Sequence, residues 1–164
     1  MSFDVFKYTS PIGSIYCVFE GAFLVELAIR ESPVNAAGSQ KSALPLNNRF
    51  RTELDAYFAG KLKAFRQGIK FIGGTVFEQK VWKVLRKIPY GETRSYFWIA
   101  EHAESPKAVR AVGQALKKNP LPIILPCHRV IASDGTIGGY SSGIAVKQWL
   151  LDHEKDRHPL YLHH

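Results

Sequence analysis

Residues 95–118, SYFWIAEHAESPKAVRAVGQALKK, decide how this chain is read. Ser95, or Thr93 just before it, is a helix-capping residue, and the residues that follow carry a short helix to about Ala103. Ser105-Pro106 has the form of a second start, a cap followed by proline at the first helical position. That helix runs to about Lys118 and stops at Asn119-Pro120. Two short helices joined by a tight turn, the second bearing Arg110, Lys117 and Lys118, have the pattern of a helix-turn-helix. An ordinary helical hairpin shares the same local signals.

Charge tips that balance. The chain carries a net +8 over 164 residues, with a pI near 9.6. Residues 80–129 hold ten lysines and arginines against three acidic residues. A concentrated basic excess is either a solvated face or a surface for a polyanion, and next to a helix-turn-helix it points to DNA.

Upstream, Thr75-x-x-Glu78 is a capping box for a helix whose apolar face is Phe77, Val81, Val84, Leu85 and Ile88, stopped by Pro89-Tyr90-Gly91. Ile72-Gly73-Gly74 reads as a hinge, which divides the chain into domains at 1–74 and 75–164. In the first domain FDVFKYT, SIYCVFE and AFLVELAI predict three antiparallel strands. A loop over 31–47 leads to a helix capped by Asn48, with a stripe of Phe50, Leu54, Tyr57 and Phe58 and a stop at Gly60. Nothing there resembles a reaction site, so it reads as scaffold. Downstream, residues 122–131 (PIILPCHRVI) read as a buried extended segment between prolines. Thr136-Ile137 between glycine turns suggests a wing, and Ser142 caps a last helix carrying Val146, Trp149, Leu150 and His153.

Composition narrows the classes. With 46% hydrophobic and 22% charged residues the chain is globular, and its length suffices to bury roughly 70% of the unfolded surface without staples. No stretch approaches the ~18 apolar residues of a membrane span. The N-terminus has no signal or transit character, so the cytoplasm is expected, or the nucleus in a eukaryote. Two cysteines and no zinc-ligand spacing argue against disulfides and metals.

The chemistry concentrates at Pro126-Cys127-His128-Arg129. A thiol is a nucleophile only as thiolate, and a neighbouring imidazole can take its proton. On a strand adjacent residues face opposite ways, so Cys127 and His128 cooperate only if the chain turns there, which Pro126 permits. Arg129 adds positive potential. A histidine base needs an orienting carboxylate, and Asp152 and Glu154 are both placed for it. Cys17, inside a strand pattern, reads as packing.

Residues 76–154 resemble the methylated-DNA–protein-cysteine S-methyltransferases, the O6-alkylguanine-DNA alkyltransferases. The resemblance rests on Leu125-Pro126-Cys127-His128-Arg129-Val130 and on Gly91-Glu92-Thr93, Ser95-Tyr96, Arg110-Ala111-Val112-Gly113, Asn119-Pro120, Gly138-Gly139-Tyr140-Ser141, Trp149-Leu150-Leu151 and His153-Glu154. It implies an α+β fold, a small ribonuclease-H-like α/β domain followed by a mainly helical winged-helix domain. It implies single-turnover repair of O6-alkylguanine in double-stranded DNA by a monomer without cofactor, with O4-alkylthymine left open, after the nucleotide flips out through the minor groove. By the same resemblance Cys127 is the acceptor, His128 its base through a bridging water and Glu154 the orienter of His128. Tyr96 bonds guanine N3, and Asn119 supports the active-site turn. Arg110 is the finger entering the base stack, and Ala111, Gly113, Lys117 and Arg94 belong to the DNA face. Tyr140, Ser141, Val130 and Pro126 line the pocket. Phe97-Trp98 departs from the family pattern and reads as core of the short helix, with extra DNA-facing surface as the alternative. Ser142 stands where many members carry glycine. A lesion sensor, a winged-helix redox regulator and a thiol hydrolase are the competing readings; the sensors lack the cysteine that Cys127 supplies.

Overall fold

The computed structural model describes residues 2–30 and 45–155. The chain divides after Ile72 into two compact units. Most of the expected 31–47 loop lies outside the described residues, as do His163 and His164.

In the first unit β1 (Asp4–Ser10), β2 (Gly13–Glu20) and β3 (Phe23–Arg30) form an antiparallel sheet in that order, with Phe6 opposite Cys17 and Cys17 opposite Leu27. Alternation along β1 and β2 sends Phe6, Tyr8, Ile15, Cys17 and Phe19 into the core. A register shift at Val18/Phe19 lets both Leu24 and Val25 of β3 be buried. Helix α1 (Pro45–Phe58) packs Phe50, Leu54 and Tyr57 inward, Phe50 meeting Phe19 edge-on at 5.9 Å. It begins before Asn48, which is therefore no cap: its carbonyl accepts from Thr52 inside the helix. Gly60, at φ +76°, closes the helix, with Lys61 N–H bonded to Ala56 O and Gly60 N–H to Tyr57 O. Cys17 is fully buried, and burial pushes its thiol far up, which makes it an inert packing residue.

The second unit begins with the Thr75–Glu78 capping box, both reciprocal bonds present, and α2 (Val76–Leu85). Trp82 of α2 donates its indole N–H to Ala115 O of α4 (Val109–Lys117), tying the two helices. Between them α3 (Tyr96–His102) is capped by Ser95. Ser105-Pro106 does not start α4. The Ser105 carbonyl instead accepts from Ala108 N–H in a turn, because a serine-proline pair satisfies a turn as well as a helix start.

Of residues 122–131 only Val130–Ile131 are extended. Leu125 N–H returns to Leu121 O, and Ile123 adopts φ +77°, a conformation few non-glycine residues accept. Pro126 sits at φ −77°, ψ 67° with Cys127 N–H bonded to Leu125 O at 2.7 Å, an inverse γ-turn. Cys127–Arg129 then form one 3₁₀ turn, and β5 (Val130–Ile131) pairs in parallel with β4 (Arg94–Ser95). That two-residue ladder sets the cysteine turn beside the start of α3. Thr136-Ile137 forms no strand. The last helix, α5 (Ile144–Glu154), is preceded by Gly143 at φ 101° without a side-chain cap, so Ser142 does not cap it.

Candidate active site

The expected site residues fall into three groups: a buried charge network, an open cavity and an exposed helix face. The network starts at His128, which is fully buried, its Nε2 2.7 Å from Glu154 Oε2. Burial works to raise the Glu154 carboxyl, but His128 and then Arg129 outweigh it and hold it well below the ordinary carboxylate range. An ionised carboxylate only accepts, so His128 Nε2 carries the hydrogen and Nδ1 keeps its lone pair. Nδ1 is buried without a hydrogen-bond partner. Burial also lowers the His128 pKa, against the pull of Glu154, so the ring is a neutral base.

Arg129 does not face the thiol. Its Nε and Nη2 grip the two Glu154 oxygens at 2.7 and 3.0 Å, and its Nη1 bonds Ile88 O at 2.8 Å. Asp152 accepts from Gln148 on the same helix, so of the two carboxylates on α5 it is Glu154 that meets His128.

Cys127 is 6% exposed and opens into a cavity of about 590 Å³. The wall includes Tyr96, Gly113, Gln114, Lys117, Tyr140 and Ser141. Pro126 and Val130, expected to line the pocket, are buried and do not reach its wall. Burial raises the Cys127 thiol; the Asn119 amide, the Lys147 charge and the Tyr140 hydroxyl act in the other direction. Asn119 spans the turn, its Nδ2 donating to Leu125 O at 2.8 Å and its Oδ1 accepting from Leu121 N–H at 2.9 Å. The Tyr140 hydroxyl is buried beside the sulfur without a hydrogen bond of regular geometry, and burial drives its pKa far up. Ser141 Oγ donates to Lys117 O, fastening the pocket loop to α4.

On α4, Arg110, Gly113, Gln114 and Lys117 recur at helical spacing, so the exposed Arg110 continues the stripe that borders the cavity. Ala111 is exposed one position round the helix. Arg94 is turned to Glu92 at 2.9 Å and lies 5.5 Å over the Trp98 ring. Phe97 is 46% exposed and Trp98, half-buried, stacks on His102, so this pair is not helix core: α3 buries Ile99 and Ala100 instead.

Two residues escaped the sequence reading. Gln114 carried a signal, its spacing of four from Arg110. Lys147 carried only a weak one, a lysine on the same face as Leu150, Leu151 and Glu154. It is 1% exposed, and its Nζ donates to Val130 O at 2.6 Å and Gly139 O at 3.1 Å. Burial brings its pKa down to about 8. Among the described residues no cluster of His, Cys, Asp or Glu is arranged to hold a metal, and no helix is long and apolar enough to cross a membrane.

Residues 76–156 match the family described as 6-O-methylguanine DNA methyltransferase, DNA binding domain. Over 149 residues, 89% of this chain and 88% of the other, the sequence is 44% identical to a methylated-DNA–protein-cysteine methyltransferase from Mycobacterium leprae. The chain belongs to the methylated-DNA–protein-cysteine methyltransferases. A family member from Methanosarcina acetivorans is 52% identical over 147 residues, 88% of this chain and 93% of its own. The O6-methylguanine methyltransferase of Mycobacterium tuberculosis superposes with a TM-score of 0.85 at 40% identity, covering 96% of each chain. A second structure from that organism, in complex with DNA, has the same score at 41% identity, covering 98% of this chain and 96% of the other. The mixed α/β architecture of the methyltransferase is thus shared along nearly its whole length.

Proposed function

We propose that this methyltransferase repairs O6-alkylguanine in double-stranded DNA by moving the alkyl group to Cys127, once per molecule and without a cofactor. The observation that carries the reading is the Cys127 turn, open to a cavity on one side and backed by the buried His128–Glu154–Arg129 network on the other.

The chemistry balances on these residues. The Cys127 proton passes to His128 Nδ1, the free lone pair, through a bridging water. Sγ then attacks the alkyl carbon in line, the carbon–O6 bond breaks and its electron pair stays on the purine. Tyr96, whose pKa burial raises, keeps its proton until the departing guanine N3 takes it. A stacked base offers no in-line approach, so the nucleotide leaves the duplex, with Arg110 filling the gap from the minor groove. Ala111, Gly113, Lys117 and Arg94 complete the DNA face, and Tyr140 and Ser141 the guanine pocket. In fold terms the first unit is ribonuclease-H-like and the second a helix-turn-helix of winged-helix type. The protein acts as a monomer in the compartment that holds the DNA, the cytoplasm or a nucleus. The test is the protein mass after incubation with O6-methylguanine duplex: one methylene gained is expected, and an unchanged mass overturns the reading.

Two variants probe the DNA face. Arg110→Ala slows repair of duplex by roughly tenfold or more, since unstacking costs a few kcal/mol, but leaves transfer from free O6-methylguanine base unchanged. Equal losses on both substrates remove Arg110 from the stack. Gly113 lies inside α4, where a Cβ would meet nothing within 4 Å. Gly113→Ala therefore stabilises the fold by about 0.5–1 kcal/mol, as alanine in helices does, yet weakens DNA binding because the backbone no longer approaches closely. Thermal unfolding and duplex titration read the two effects separately.

A further inference from the structure

Tyr96 is held by a segment the mechanism does not otherwise use. Gly138 has φ +72°, and a Cβ built there would stand 2.6 Å from the Tyr96 hydroxyl and 3.3–3.4 Å from its ring carbons. No real Cβ tolerates that approach, so the absent methyl group is what lets the phenol lie where it does. Next in the chain, the Gly139 backbone acts on the Tyr96 hydroxyl against burial, which is the larger effect and raises the phenol's pKa. The Gly139 carbonyl accepts from Lys147 Nζ at 3.1 Å, and the same ammonium grips Val130 O at 2.6 Å, directly after the Cys127 turn. Tyr96, Gly139 and Cys127 border the same cavity.

We infer that Gly138, Gly139 and Lys147 form a positioning device that holds the Tyr96 hydroxyl at the cavity beside Cys127. A phenol has one hydrogen and can accept at its oxygen. With the glycine making room behind it and the cavity in front, the hydroxyl can offer that hydrogen to an acceptor supplied by the ligand. A hydroxyl placed there suits an unprotonated purine ring nitrogen, to which it donates. Lys147 fixes the distance: it spans α5, the pocket loop and the strand that follows the cysteine, so the donor and the sulfur share one anchor. The inference rests on the reading of Tyr96 as the proton donor to the leaving base.

A double-mutant cycle on Gly138→Ala and Tyr96→Phe tests it, with transfer rate and thermal unfolding both measured. Tyr96→Phe alone slows transfer by about a hundredfold, the scale of losing one transition-state donor. Gly138→Ala alone slows transfer by at least about tenfold, because about 1.4 kcal/mol of misplacement suffices for that. In the Tyr96→Phe background the added methyl group meets no hydroxyl, so Gly138→Ala changes the rate by less than about twofold and lowers the melting temperature less than it does in the wild type. Equal effects of Gly138→Ala in both backgrounds, on rate and on melting, overturn the device. If Tyr96→Phe leaves the rate unchanged, the donor reading fails, while the melting cycle still reports on whether Gly138 makes room for the hydroxyl.

Discussion

Given excess duplex carrying O6-methylguanine, the protein gains the mass of one methylene, confined to the peptide containing Cys127, and lesion loss stops at one per protein molecule. The sulfur stands at the cavity, and the thioether it forms is stable in water. The groups nearest it do not regenerate the thiol: burial raises the Tyr140 and Tyr96 hydroxyls, which keep their protons, and the Lys147 ammonium is committed to two backbone carbonyls. Cys17 stays unmodified because it is buried in the β-sheet core with its pKa driven up. Cys127→Ser keeps the fold and loses transfer by several orders of magnitude, since a hydroxyl beside a neutral imidazole yields far less anion than a thiol. Intact mass and peptide mass decide the outcome. Repeated turnover points to a hydrolase or demethylase, and tight lesion binding without a mass gain points to a sensor. A gain on Cys17 overturns the site.

Glu154→Gln has the second large effect, and it strikes the fold as well as the rate. On sequence alone, with Glu154 near a helix end, the variant keeps its fold. The structure changes that expectation, because a neutral amide in place of the carboxylate leaves the buried Arg129 without a counter-charge. Breaking a buried pair from one side costs about 3–5 kcal/mol. Transfer slows too: the amide no longer favours the imidazolium, so proton loss from the Cys127–His128 pair needs higher pH, and the rate recovers as pH rises. A rate that stays low at every pH refutes the base-and-orienter arrangement. Adding Arg129→Met to Glu154→Gln removes the unpaired charge and restores stability without restoring the rate, which separates the two roles.

The pH dependence of stability follows from the same network. His128 has its pKa lowered, so the unfolded chain takes up a proton that the folded chain refuses, and stability falls as pH drops below about 6.5, the ordinary histidine value. Glu154 has its pKa depressed, so its contribution is complete above about 4.3 and is lost as pH falls through the folded value. Wild-type protein therefore weakens in two stages on acidification, and in Glu154→Gln the second shrinks to what Glu78 and Asp134, also depressed, contribute. Thermal unfolding between neutral pH and about pH 3 compares the size of the second stage in the two proteins.

Sequence determined what depends on neighbours along the chain. The Thr75–Glu78 box, the Gly60 stop, the strand alternation through Ile15, Cys17 and Phe19, and the chemical identity of the Cys127-His128 pair are set by side chains within four residues of one another. Tertiary structure decided the rest. Ser105 and Ser142 have cap chemistry that serves a turn equally well, and Asn48 has it too but lies inside a helix that starts upstream; only packing selects among these outcomes. Residues 122–131 are apolar enough for a strand; the Asn119 clamp on Leu121 and Leu125 and the positive φ of Ile123 turn the chain before Cys127 and leave only Val130–Ile131 extended. Asp152 and Glu154 stand two positions apart with the same functional group, and the facing of α5 sends only Glu154 to His128. Lys147 is buried because two carbonyls, at Val130 and Gly139, converge on its ammonium from different segments. A buried charge is tolerated only where its partners are brought to it, and bringing residues far apart in sequence together is the work of the fold.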